Sequence, residues 1–198
     1  MVDRRWLVVD VAIKVGTVGL LLFAVARPDL PQFAGKAFQG RAIGYPVALL
    51  VVPIGWWLLG RPRGIAFPIA ADILLGTPFL VDVLGNALNL YDSIDWWDDA
   101  NHVVNWFVHT AAIGVLLRLG PWGRWTRIGL AVAWAASTAI LWEIAEYVLF
   151  VRGSPELVTA YSDTIGDLAL GLLGGTIAAV VVSLLGAPRT LEPSGGAN

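Results

Sequence analysis

Residues 163–186 read DTIGDLALGLLGGTIAAVVVSLLG. Two carboxylates open the stretch, and nothing charged follows Asp167. An apolar run of this length is what a bilayer core requires, about 20 residues as a helix. In lipid every backbone N–H and C=O must be satisfied within the segment, so the run is predicted to be a transmembrane helix. Five more segments read the same way: 6–26, 43–60, 64–88, 99–119 and 126–151. Breakers separate them, namely Arg27-Pro28-Asp29 with Pro31, then Gly60-Arg61-Pro62-Arg63-Gly64, Tyr91-Asp92-Ser93-Ile94-Asp95, Gly120-Pro121-Trp122-Gly123 and Gly153-Ser154-Pro155. A β-barrel would show short alternating segments instead. The expected fold is all-α, a polytopic integral membrane helical bundle of about six transmembrane helices. It occupies residues 1–186, and a Pro-, Gly- and Ser-containing tail, 187–198, is expected to be disordered and cytoplasmic.

Composition agrees with that class. The chain is 57% hydrophobic and 14% charged, where soluble domains carry about 25% charged residues. Its mean hydropathy is +0.71. A formal net charge of -2 gives no basis for a nucleic-acid partner. The absence of cysteine excludes disulfides, thiolate metal sites and cysteine nucleophiles. Arg4 and Arg5 before an apolar run, with Ala24-Val25-Ala26 after it, resemble a signal peptide. Asp10 and Lys14 interrupt that run, so it reads as an uncleaved first span.

Basic residues set the orientation. Arg4, Arg5, Arg61, Arg63, Arg118, Arg124, Arg127 and Arg189 fall on one side; Arg27, Lys36, Arg41 and Arg152 fall on the other. The richer side is expected to be cytoplasmic and to hold both termini. Trp6, Trp56, Trp57, Trp122 and Trp125 then sit at the inner interface, and Trp96 and Trp97 at the outer one, as an aromatic belt.

Ionisable residues inside spans are expensive, and each requires a partner or a purpose. Asp10 and Lys14 are one turn apart on the first span, and Asp72 on the third reaches similar depth. A structural ion pair accounts for these three. A second, larger group gathers near the outer ends of four spans. The third carries Asp82 and Asn86, with Asn89 continuing the same face. The fourth carries a helical stripe of Asp98, His102, Asn105 and His109, with Asp99 beside it. The fifth carries Glu143 and Glu146, and the sixth Asp163 and Asp167. The asparagines are expected to hydrogen-bond between helices.

Close carboxylates in a low dielectric do not all stay ionised without a counterion. Either several are protonated or a cation sits among them. Asp98, Asp99 and Asp163 are equally well placed as first-turn acids favoured by a helix dipole. That account is weaker for Glu143, Glu146 and Asp167; Glu143 lies two turns inside, and the dipole at the fifth helix's outer end repels acids. The candidate metal ligands are therefore His102, Glu143, Glu146, Asp163, Asp167 and Asp98, around a divalent ion drawn from Mg, Mn, Ca, Zn or Fe. His109 and Asp99 are the candidate catalytic groups. His102 reads equally as a core histidine bonded to a carboxylate, and His109 as a structural or supporting group.

Asp98-Asp99-Ala100-Asn101-His102, Trp142-Glu143-Ile144-Ala145-Glu146-Tyr147 and Asp163-Thr164-Ile165-Gly166-Asp167 occur in this order. As a set over residues 70–185 they resemble the YjdF-like family of uncharacterised bacterial inner-membrane proteins. The family's Gly-His-Phe is Asn101-His102-Val103 here. The resemblance implies a shared site of acids and histidine in a bacterial inner (plasma) membrane; it supplies no activity.

Three functions compete. The first is a metal-dependent enzyme acting on a lipid or lipid-linked substrate at the outer leaflet, since headgroups lie at the depth of the cluster. The second is a proton- or cation-coupled transporter, which six spans would serve as a homodimer. The third is a structural membrane protein in which the acids only hold helices together. No nucleotide loop and no Gly-x-Ser-x-Gly elbow is present. The orientation is checked by a reporter fused after Asn198: a cytoplasmic signal is expected, and a periplasmic one reverses the orientation and moves the acidic cluster to the inner face.

Overall fold

A computed structural model describes residues 3–185; the expected tail, 187–198, and Arg189 lie outside the described residues. Six helices long and apolar enough to cross a membrane run through it, and the described residues contain no strand. They are α1 (Arg4–Ala26), α2 (Phe38–Leu49), α3 (Ile69–Ala87), α4 (Trp97–Leu117), α5 (Arg124–Leu149) and α6 (Ala160–Leu184). The second span continues beyond α2 through a short helix, Val51–Gly55, a π turn, Trp56–Gly60, and a 3₁₀ turn, Arg61–Arg63. Pro46 and Pro53 each remove a backbone donor from this span, which favours such irregularity.

The starts of three helices differ from the sequence reading by three residues or more, and each has a local cause. The second span begins at Phe38 rather than at 43. Left-handed Ala37 (φ 53) closes the preceding turn, and nothing after it stops a helix. Arg41 therefore lies inside the span. The third begins at Ile69 rather than at 64. Gly64 takes a left-handed φ of 70, and Pro68 biases the residue before it toward an extended conformation. The sixth begins at Ala160, where the turn after the Pro155–Val158 segment feeds directly into the helix.

The packing inverts that of a soluble protein. Large apolar side chains such as Val15, Leu22, Ile43, Leu141 and Leu173 are exposed around the bundle, the surface that faces lipid. The interior is rich in small residues, among them Ala71, Ala112, Ala135, Ala139 and Ala178. Without a hydrophobic drive between helices in lipid, close approach of backbones is what holds them together. α4 packs on three spans, α6, α3 and α5, and α6 packs most extensively on α4 and then on α5. A Cβ at Gly174 would collide with the backbone carbonyl of Val103 on α4, one at Gly171 with the Trp106 indole, and one at Gly175 with Ala135 on α5. α3 packs on α4, and α1 on α3.

Charge crosses the α1–α3 contact. Lys14 Nζ lies 2.8 Å from Asp10 Oδ2 and 2.6 Å from Asp72 Oδ2. Both carboxylates are buried, Asp72 at 1% exposure. Removing one partner of a buried ion pair costs far more than the intact pair contributes, on the order of 3–5 kcal/mol. Lys14→Met is therefore expected to lower the unfolding midpoint in detergent sharply. The triple variant Lys14→Met/Asp10→Asn/Asp72→Asn is expected to regain most of the loss. Equal stability of the single variant and the parent would remove this interaction from the forces holding α1 to α3.

Candidate functional site

The C-terminal ends of α3 and α5 and the N-terminal ends of α2, α4 and α6 meet at one end of the bundle. The acids gather there, and α4 supplies the centre. Its residues Asp98, His102, Asn105 and His109 recur at helical spacing and line one cavity. Close packing of α4 on α6 brings His102 beside Asp167. His102 Nε2 stands 3.6 Å from Asp167 Oδ1 and 3.7 Å from Asp98 Oδ1. These separations exceed a hydrogen bond. Ligands about 2.0–2.2 Å from a single ion stand roughly 3.0–3.6 Å apart, so the spacing suits a shared cation better than direct contact. One ligand atom each from Asp98, His102 and Asp167 lies within 4.8 Å of the others. His102 is 8% and Asp167 4% exposed. The other imidazole nitrogen, His102 Nδ1, is buried without a hydrogen-bond partner among the described residues.

The remaining sequence candidates are placed differently. Glu143 is buried next to Thr164, and Glu146 lines the cavity wall within electrostatic reach of Arg41. Asp163 is at the rim. None of the three joins Asp98, His102 and Asp167 in one ligand-sized group. Of the two catalytic candidates, His109 lines the cavity deep in α4, between the rings of Trp106 (5.4 Å) and Trp134 (5.8 Å). Asp99 is exposed, one residue off the stripe and away from the cavity lining.

The asparagines differ from expectation. Asn86 donates to the Asp82 carbonyl of its own helix at 3.0 Å, and Asn105 to Asn101 Oδ1 at 3.1 Å. Both bonds stay within a helix, because each acceptor sits one turn back on the same face. Asn89 falls past the end of α3 in a left-handed conformation (φ 59) and is exposed. It therefore leaves the face that carries Asp82 and Asn86.

A second centre was not visible in the sequence. Asp82 accepts from Arg41 Nη1 at 2.8 and 2.7 Å through its two oxygens, from the Tyr45 hydroxyl at 2.6 Å and from the Tyr91 hydroxyl at 3.3 Å. Burial, with the Asp82 and Asp98 charges, pushes the Tyr91 phenol well above its ordinary value, so it remains a donor. Gly85 makes room for this arrangement: a Cβ there would press on the rings of Tyr91 and Trp97. The signal that would have found Arg41 is the start of the second span. A helix beginning at Phe38 makes Arg41 an intramembrane base in need of an acid. At the rim, Lys36 Nζ pairs with Asp92 at 2.7 Å.

Together these groups surround a cavity of about 530 Å³. Its lining combines charged and polar groups, Lys36, Asp92, Glu156, Arg41, His102 and Glu146, with the rings of Phe79, Trp106, His109 and Trp142. The volume is within the range of small-molecule sites, roughly 300–1,000 Å³.

The family model described as Predicted membrane protein (DUF2238) matches residues 13–187, and the chain belongs to that family. The YjdF-like resemblance is consistent with this match. No curated protein and no solved structure matches the chain.

Proposed function

We propose that this DUF2238 membrane protein binds one divalent metal ion through Asp98, His102 and Asp167 and uses it on the headgroup of an amphiphile held in the adjoining cavity. The observation that carries this reading is the convergence of three ligand atoms from two helices within 4.8 Å, at separations too long for hydrogen bonds and suited to a shared ion. Two carboxylates and an imidazole form a mixed oxygen–nitrogen set, which favours Mn²⁺, Zn²⁺ or Fe²⁺ over Ca²⁺. An ion there would neutralise the buried Asp167 and the half-exposed Asp98, which have no base beside them, and would polarise a phosphoryl or carbonyl oxygen. His109, facing the same cavity, is the group placed to exchange a proton with a ligand held there. With both termini cytoplasmic in the plasma membrane, the site opens at the outer leaflet, at headgroup depth.

The test is elemental analysis by inductively coupled plasma mass spectrometry of the detergent-purified protein beside Asp167→Asn and His102→Ala. About one ion per chain is expected in the parent, with loss of most of it in either variant while both still elute as a single folded species. A parent that holds no metal as purified, and takes up none of Zn²⁺, Mn²⁺, Mg²⁺ or Ca²⁺ on titration, would sink the proposal.

A further inference from the structure

Arg41 is held in an unusual way. A guanidinium facing a carboxylate ordinarily pairs through two nitrogens, one to each oxygen. Here Nη1 alone serves both Asp82 oxygens. Asp82 is in turn fixed by the Tyr45 and Tyr91 hydroxyls, and the Phe38 ring lies 5.4 Å from the guanidinium carbon. The group is therefore locked in place, with Nε and Nη2 making no hydrogen bond to protein among the described residues. Neither is a sealed, buried donor; the side chain is 15% exposed and lines the cavity. The free edge of a rigid guanidinium matches one ligand chemistry above others, an oxyanion with two oxygens in a plane.

The rest of the cavity says what the oxyanion is attached to. Part of its lining is aromatic, with Trp106, Trp142 and Phe79. Leu141 lines the same cavity while 63% exposed on the lipid-facing side of α5. The gap between α2 and α5 at this level is bridged by the Tyr45 and Trp142 rings, 6.2 Å apart. An apolar chain has these rings and Leu141 to lie on. Against a free anion stand Asp98 and Glu146 on the same walls. A phosphate would meet repulsion there unless a cation entered with it.

We infer that Arg41 is the binding residue for the phosphate headgroup of an amphiphile, held between its free edge and a divalent ion at Asp98, His102 and Asp167. This rests on the metal reading above and adds the ligand class and the residue that selects it. Phosphate and ion bind cooperatively, because each offsets the charge that opposes the other.

The experiment is isothermal titration of the detergent-purified full chain with hexyl phosphate, inorganic phosphate and hexyltrimethylammonium, each with and without Mn²⁺. The parent and Arg41→Lys are compared, and Mn²⁺ binding is measured separately in both. Lysine keeps a cation beside Asp82 but has no planar fork to present. The expected result is hexyl phosphate binding by the parent that strengthens with Mn²⁺ and weakens at least about tenfold in Arg41→Lys, a loss of one charge-assisted contact. Mn²⁺ stoichiometry is expected to be unchanged in the variant, which also shows that its site is folded. Hexyltrimethylammonium binding as well as hexyl phosphate to the parent overturns the inference without recourse to any variant. Inorganic phosphate binding equally well reassigns the site to free phosphate and overturns the amphiphile. Metal binding without hexyl phosphate binding leaves the metal reading standing and ends this one. Arg41-dependent phosphate binding in a chain that takes no metal ends the metal reading and the cooperativity, and keeps only the headgroup contact.

Discussion

α4 and α6 touch backbone to backbone at Gly174 and Val103, and the rest of the bundle is arranged around that contact. Lipid tails are as apolar as leucine, so helices in a membrane gain little by hiding side chains from solvent. They associate where surfaces fit closely, and glycine permits the closest fit. Val103 follows His102 directly, and Gly174 lies two turns below Asp167. The separation of 3.6 Å between His102 and Asp167 is therefore a consequence of the helix contact. α5 and α3 are then placed by packing on the same pair.

The two charged centres solve one problem in different ways. At the α1–α3 contact a single lysine serves two acids, and the group is sealed at Asp72. At the other end, Arg41 and Asp82 are matched one to one and tied to two tyrosines. Asp98, His102 and Asp167 have no such base within reach of an ion pair among the described residues. Charge in a bilayer interior demands compensation; in the first two centres the acids meet a base within the protein, and the third reads as made for a cation that arrives.

Most of the architecture was legible in the sequence because the apolar runs are long and the breakers between them strong. The stripe Asp98, His102, Asn105 and His109 was legible for the same reason, since α-helical spacing alone puts these residues on one face. What failed to show depended on neighbours far away in the chain. Arg41 reads as a loop residue because a charge ordinarily ends an apolar run; only its contact with Asp82, contributed by another helix, lets the span continue past it. The asparagines depart from expectation for the opposite reason. Intrahelical acceptors were available one turn away, and a short amide reaches those before it reaches a neighbouring helix. Nor does spacing tell which of six acids share a ligand-sized space. Asp167 and Asp98 do, while Glu143 and Asp163 stay outside.

The glycines of α6 differ in what obstructs them, and that difference has a genetic consequence. Under Gly171 lies the Trp106 indole, and under Gly175 the Ala135 methyl. A larger residue at either place is open to rescue by a second substitution that trims the neighbour. Under Gly174 lies a main-chain carbonyl, which every amino acid carries. No change at Val103 makes room for it, so a selection for suppressors should return revertants at 174 where it returns second-site partners at 171 and 175.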